Sequence, residues 1–417
     1  MAVPLVMNAP EAPARGLLFL ACRVFLPFAA GYFLSYLFRT VNAVLGPVLG
    51  EELALDAAAI GLMTSAFFLA FAGIQIPLGM ALDRFGPRRT HALLLVIAAA
   101  GAVLFSQGDG TPVLTLARAI IGLGMAGGLL AAMKMFALWF PGQKLPLVNG
   151  LVLAAGGAGA MAASAPVHTM IDLIGWRHMF LALAAVTLLV AAVIHIVVPE
   201  RRATGTPVTL SDQLKGLRLI QRSPAFRAVA PLVMTTQAAW LSTQALWFGP
   251  WLRDMAGLDA GDAADALFVG GLAMIAGYAF LGWLAERLSR IGIPISSVAA
   301  PVTLVFIAVQ AMLALGSGLP AWVLTAAFSA TGGAVIIYYA DMTQRFPPAM
   351  AGRVNTTLAL FTFALGGVLQ ILVGLVLNLF PAPEGGYAPP GYLAAFGGWV
   401  LIQFACFVWY LARRRHC

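Results

Sequence analysis

Gly79-Met80-Ala81-Leu82-Asp83-Arg84-Phe85-Gly86-Pro87-Arg88-Arg89 ends an apolar run that starts near residue 56, and Gly282-Trp283-Leu284-Ala285-Glu286-Arg287 ends another that starts near 263. Both read glycine, three residues, an acid and an arginine. A match this short would mean little by itself. Its weight comes from position, because each copy follows the second apolar segment of one half of the chain. A repeat so placed points to a duplicated unit with the same order of segments in each half.

Working outward from the two copies, apolar segments lie near 18–46, 56–80, 90–107, 113–138, 147–171, 178–198, 228–251, 263–284, 294–315, 320–341, 355–380 and 391–411. They number twelve, six on each side of a polar interval at 199–227 that holds Glu200, Arg201, Arg202, Asp212, Lys215, Arg218, Arg222 and Arg227. The expected fold is all-α and membrane-spanning, with twelve transmembrane helices in two pseudo-symmetric six-helix bundles. The bundles cover 1–198 and 228–417, joined by a cytoplasmic linker at 199–227. Composition agrees: of 417 residues 61% are hydrophobic and 10% charged, with a mean hydropathy of +0.92. A soluble chain is about 45–50% apolar and about 25% charged, so a soluble enzyme, a disordered protein and a coiled coil are excluded. About 60% of the chain in lipid, at about 20 residues per span, also gives roughly twelve helices.

The net charge of +8 calls for no nucleic-acid partner, because its distribution sets orientation. With both termini in the cytoplasm, that side carries Arg15, Arg23, Arg84, Arg88, Arg89, Lys144, the six basic residues of the linker, Arg287, Arg290, Arg345, Arg353, Arg413, Arg414 and Arg415. The other side carries Arg177 and Arg253, an asymmetry of nineteen to two. Cys22, Cys406 and Cys417 form no CxxC pair, and His91, His168, His178, His195 and His416 are scattered. No disulfide framework, metal site or cofactor is expected. Gly122-Leu123-Gly124-Met125-Ala126-Gly127 formally matches a nucleotide-binding glycine motif but lies inside an apolar helix, where small residues admit a close neighbour. No Walker A motif is present, which argues against ATP-driven transport.

The charges left inside apolar segments carry the functional signal. Arg39 lies 16 residues beyond Arg23, roughly 24 Å further along a helix, and an intramembrane arginine is costly unless it faces a cavity or a partner. Tyr32, Tyr36 and Arg39 share a helical face, and a guanidinium fork between phenols suits a carboxylate. Snorkelling to the outer headgroups is the competing reading. Arg118 opens the fourth helix on the same side, and Lys134 is either an interfacial lysine or a second anion-binding charge. In the seventh helix Gln237, Trp240, Gln244 and Trp247 share a face that reads as cavity lining, against interhelical hydrogen bonding. His168 and Asp341 are the candidate proton carriers, each with a structural alternative. Gln370 is a candidate substrate contact.

The 79–89 stretch is similar to the loop motif of the major facilitator superfamily, and 282–287 to its usual degenerate echo. Arg118-x-x-x-Gly122-x-Gly124 and Gly175-Trp176-Arg177 match further family motifs. The resemblance implies two six-helix bundles, alternating access and a monomer. It also implies a cytoplasmic gate built from Gly79, Asp83, Arg84, Gly86, Arg88, Glu286, Arg287 and Arg353. In that gate Asp83 would engage the start of the eleventh helix near Arg353–Thr356, where a helix N-terminus favours a carboxylate. The arginine at the position of Arg118 is tied in the family to proton coupling or to the substrate site.

Tyr36-Leu37-Phe38-Arg39-Thr40-Val41-Asn42 resembles a stretch of the anion:cation symporter group, as do Gln75-Ile76-Pro77 with Gly79, and Asn355 with Gln370 and Gly374. Phe38 stands where that group often has an acid implicated in proton coupling. The expected function is secondary active transport of a small organic anion, a carboxylate, by proton coupling or exchange, in the bacterial inner membrane. Partners are the anion, the lipid bilayer and, where coupled, protons. Three alternatives stay open: a proton-driven exporter of drug- or siderophore-like compounds, a nitrate or nitrite exchanger, and a non-transporting membrane receptor.

Overall fold

Leu18, Leu173, Leu189, Leu401 and Phe404 stand exposed on the outside of the molecule, while Phe28, Phe38, Phe67, Phe105, Phe136 and Trp240 are fully enclosed. Large apolar side chains exposed on so many helices mark a chain whose solvent is lipid. The computed structural model describes residues 16–201, 210–291, 295–347, 350–383 and 385–413. Arg15, Arg202, Arg414, Arg415, His416 and Cys417 lie outside them, as does the 202–209 part of the linker. The described chain is all-α, with one isolated bridge between Pro381 and Tyr387 and no strand among the described residues.

The helices fall in twelve spans. The first occupies 17–53 and breaks at Val41. The second is the pair Ala57–Gly73 and Gln75–Phe85, bent by 47°. The third is Pro87–Ser106 and the fourth Thr111–Trp139. Leu145–Ala162 runs into Ala165–Val197, within which Gly175 adopts φ +74°. That conformation is open to glycine for want of a Cβ, and it separates the fifth span from the sixth. After the linker helix Leu210–Arg222 come the seventh at 224–254, the eighth at Ala260–Arg290 and the ninth at Ile295–Leu315. The tenth is Ala321–Thr331 with Ala334–Gln344, the eleventh Ala351–Asn378 and the twelfth 389–413.

Eight helices among the described residues are long and apolar enough to cross a membrane, and the bent pair makes a ninth. The seventh and tenth are interrupted, by a π turn at Thr243–Trp247 and at Gly332-Gly333. Interrupted backbone at membrane depth belongs where it faces protein or a cavity.

Close approach inside the first half depends on glycine. A Cβ on Gly122 would sit 2.2 Å from the Phe67 carbonyl oxygen. Gly122→Ala is therefore expected to destabilise by about 1–3 kcal/mol through overpacking, read as a lower melting temperature in detergent. An unchanged midpoint would show that the second and fourth spans separate freely.

The spans before and after the linker meet most tightly at one end. Arg253 Nη2 pairs with Glu51 Oε1 at 2.8 Å. Asn378 Nδ2 donates to Asp56 Oδ2 at 2.8 Å while its Oδ1 accepts from the Ala57 N–H at 3.0 Å. These three contacts tie the two halves together at this end. Behind it, Asp254 accepts from the Tyr387 N–H at 3.0 Å and the Tyr392 hydroxyl at 2.7 Å. Burial first, then the neighbouring Asp254 and Asp56, pushes Tyr387 up to about 12.

Candidate functional site

The helix Leu26–Thr40 stops at Val41, one turn beyond Tyr36, and a new helix begins at Asn42. The turn at Val41 leaves the Phe38 carbonyl outside the helical ladder. Arg118 Nη1, from the fourth span, donates to that carbonyl at 2.8 Å and lies 5.0 Å over the Phe67 ring. Arg118 is fully buried, and its Nε and Nη2 have no partner. It braces the end of the helix that carries Arg39.

Arg39 is 5% exposed. Its guanidinium carbon lies 4.5 Å over Tyr36, 5.3 Å over Phe71 and 5.1 Å over Phe363. Phe71 and Phe363, from the second and eleventh spans, stack with centroids 4.2 Å apart. Aromatic faces attract a cation but do not replace an anion's hydrogen bonds. No carboxylate lies in ion-pair contact with Arg39 among the described residues, and its buried Nε has no partner. A guanidinium offers five N–H donors, so this cation is desolvated, cradled and open to an anion. It does not snorkel.

Tyr32 and Tyr36 stand edge to face at 5.3 Å. The hydroxyl of Tyr36 interacts with those of Tyr32 and of Tyr278 from the eighth span, within the field of Arg39. Sequence reading missed Tyr278, Phe71 and Phe363. Tyr278 carried a signal, as the single tyrosine of Ala260–Arg290, one turn before Gly282. The two phenylalanines carried none, because an aromatic in an apolar helix is ordinary.

The seventh span lies alongside. Trp240 and Trp247 are buried with unpartnered indole N–H groups. Trp240 packs where a side chain on Gly332 would be, and Trp247 beside Gly61. Gln237 is half-buried. Gln244 is spent on the Met274 sulfur at 3.4 Å. Gln370 donates to the Ser242 carbonyl at 3.1 Å, leaving its Oε1 without a partner.

Other sequence-derived candidates sit elsewhere. His168 Nδ1 pairs with Asp172 at 3.1 Å on its own helix, and Asp341 with Arg345 at 3.0 Å. Both are neutralised locally and neither joins the Arg39 group. The expected contact of Asp83 with the start of the eleventh helix is replaced by an ion pair with Lys134. A lysine of the fourth span, in the same half, reaches the carboxylate, and this also removes Lys134 as a free anion-binding charge. Arg353 instead lies against Gly216 of the linker helix.

Gly79 is open, and Gly86, at φ +83°, ends its helix. Arg84 covers Phe85 at 5.2 Å. Arg88 donates to the Val198 carbonyl at 3.0 Å and pairs with Glu200 at 3.3 Å. In the echo, Glu286 pairs with Arg290 at 2.6 Å and Arg287 covers Trp283 at 5.4 Å.

The sequence model described as Major Facilitator Superfamily matches residues 28–371. A protein of Cupriavidus necator named Probable sulfoacetate transporter SauU is 25% identical over 274 residues. That match covers 62% of this chain and 63% of the relative, just under two thirds of its length. The Hexuronate transporter of Bacillus subtilis is 24% identical over 400 residues, covering 90% of this chain and 92% of that one. The crystal structure of nucleoside transporter NupG superposes with a TM-score of 0.73 at 16% identity, covering 92% of this chain and 98% of that one. At that identity the likeness is one of fold alone.

Proposed function

The chain belongs to the Major Facilitator Superfamily, a family of multi-pass membrane transporters and not of enzymes, and from that premise we propose that it carries a small organic anion by alternating access. The observation that carries this reading is Arg39, a buried cation with no carboxylate partner among the described residues, touched by aromatic rings of both halves. An unpaired buried charge is costly, and a carboxylate bound bidentately removes that cost. The relatives named for sulfoacetate and hexuronate carry substrates of the same chemical kind.

The proposed halves are 1–198 and 228–417, with the 199–227 linker on the cytoplasmic side of a bacterial inner membrane. The end sealed by Glu51–Arg253 and Asp56–Asn378 is then the outer end, and this form opens inward. The drive is a proton gradient or exchange of one anion for another.

Reconstitution into liposomes holding a pH dye tests this, with monocarboxylates, dicarboxylates, sugar acids and nitrate offered in turn. Anion-driven proton entry, or counterflow of labelled carboxylate without it, is the expected result. Silence across the organic acids, or flux of nitrate alone, would overturn it.

A further inference from the structure

We infer that Tyr278 is the substrate contact contributed by the C-terminal half, so that the anion is bound between Arg39 and Tyr36 on one side and the Tyr278 hydroxyl on the other. The inference rests on the proposed anion at Arg39. Tyr278 belongs to the eighth span, and its ring lies where a side chain on Gly333 would be, 2.6 Å from an ideal Cβ there. Gly333 follows Thr331-Gly332 at the interruption of the tenth span, so the break provides the flat surface that seats the phenol. Tyr32 and Tyr36 are seated in the same way against Gly156 of the fifth span. Two glycine platforms, one in each half, thus aim three phenols at one another and at Arg39.

Proton counting shows what this row can do. Three hydroxyls carry three protons. Joining them in a row uses two as donors within the row, so one O–H remains for a ligand. Arg39 adds the charge. The combination matches a carboxylate with a second oxygen function in reach, whereas an apolar ligand would leave the donors unmet.

The placement matters for the transport cycle. A ligand shifts a conformational equilibrium only through contacts that differ between the states. Arg39 and Tyr36 belong to one half and Tyr278 to the other. An anion held by both binds the arrangement in which the halves meet at mid-depth differently from those in which they part.

The test is counterflow of a labelled carboxylate by wild type, Tyr278→Phe and Gly333→Ala. Tyr278→Phe removes one oxygen and leaves the packing intact. Losing a neutral donor to a charged ligand is expected to raise the half-saturating concentration roughly 10-fold. Gly333→Ala, which displaces the ring, should do the same with the hydroxyl present. Unchanged half-saturation in Tyr278→Phe would overturn the inference while leaving the anion reading in place. A wild-type protein that moves no carboxylate would remove both.

Discussion

Replacing Arg39 with methionine is expected to abolish anion transport while leaving the protein as stable as before, or more stable. The two effects separate because the arginine is buried and has no carboxylate partner among the described residues. A lone desolvated cation weakens a fold, and methionine of similar length fills the space against the stacked Phe71 and Phe363 rings without it. Transport depends on that same charge. Two charge-assisted hydrogen bonds to a carboxylate contribute about 3–5 kcal/mol together, a loss of roughly 150- to 5,000-fold in kcat/KM. Arg39→Lys keeps the charge but lacks the fork, so it should recover only a fraction. The measurements are uptake in proteoliposomes and the melting midpoint of the same preparations. A methionine variant that melts much lower and still transports would show that Arg39 is a structural residue.

The second large effect is expected at Gly249, where the seventh span crosses the first. A Cβ built there would lie 1.7 Å from the Ala43 carbonyl oxygen, a backbone atom that cannot rotate away. Gly249→Val should therefore prevent the sealed end from forming. Overpacking of about 1–3 kcal/mol depletes that arrangement roughly 5- to 150-fold, and transport should fall with it. Each half keeps its own packing, so the protein should still fold.

Leu45→Cys, at a site enclosed at this end, gives the readout in a background lacking Cys22, Cys406 and Cys417. An impermeant thiol reagent should label it faster when Gly249 is valine. Equal labelling with undiminished transport would mean that the two helices do not need this contact.

Much of the architecture was legible before any coordinates. Hydropathy over 20-residue windows marks helices in lipid almost regardless of their neighbours, because the bilayer demands internal backbone hydrogen bonds everywhere. The limits lay where helices break. The apolar segment 18–46 hid the turn at Val41, and 320–341 hid the interruption at Gly332-Gly333. Hydropathy does not register a broken ladder when every residue near the break is apolar or small.

The site divides in the same way. Arg39 stood out in the sequence as a charge in the wrong solvent, and Tyr32 and Tyr36 followed from helical periodicity on the same strand of chain. Pairings between helices did not follow. Asp83 read as a gate residue facing the eleventh helix, yet its carboxylate meets Lys134. Arg118 read as a possible substrate charge, yet one of its nitrogens is spent on the Phe38 carbonyl.

By itself the sequence determined an all-α membrane transporter fold with its order of helices, and picked out Arg39 as a charge placed inside an apolar segment. Both follow from properties local to a segment: its transfer energy into lipid and its 3.6-residue period. Only the tertiary structure decided which side chains from distant spans meet: Lys134 with Asp83, Phe363 with Arg39, Tyr278 with Tyr36. Those meetings depend on the rotation and tilt of each helix about its neighbours. Packing of small residues at contacts such as Gly122 with Phe67 and Gly249 with Ala43 sets that rotation and tilt, and nothing in the period of a single helix specifies it.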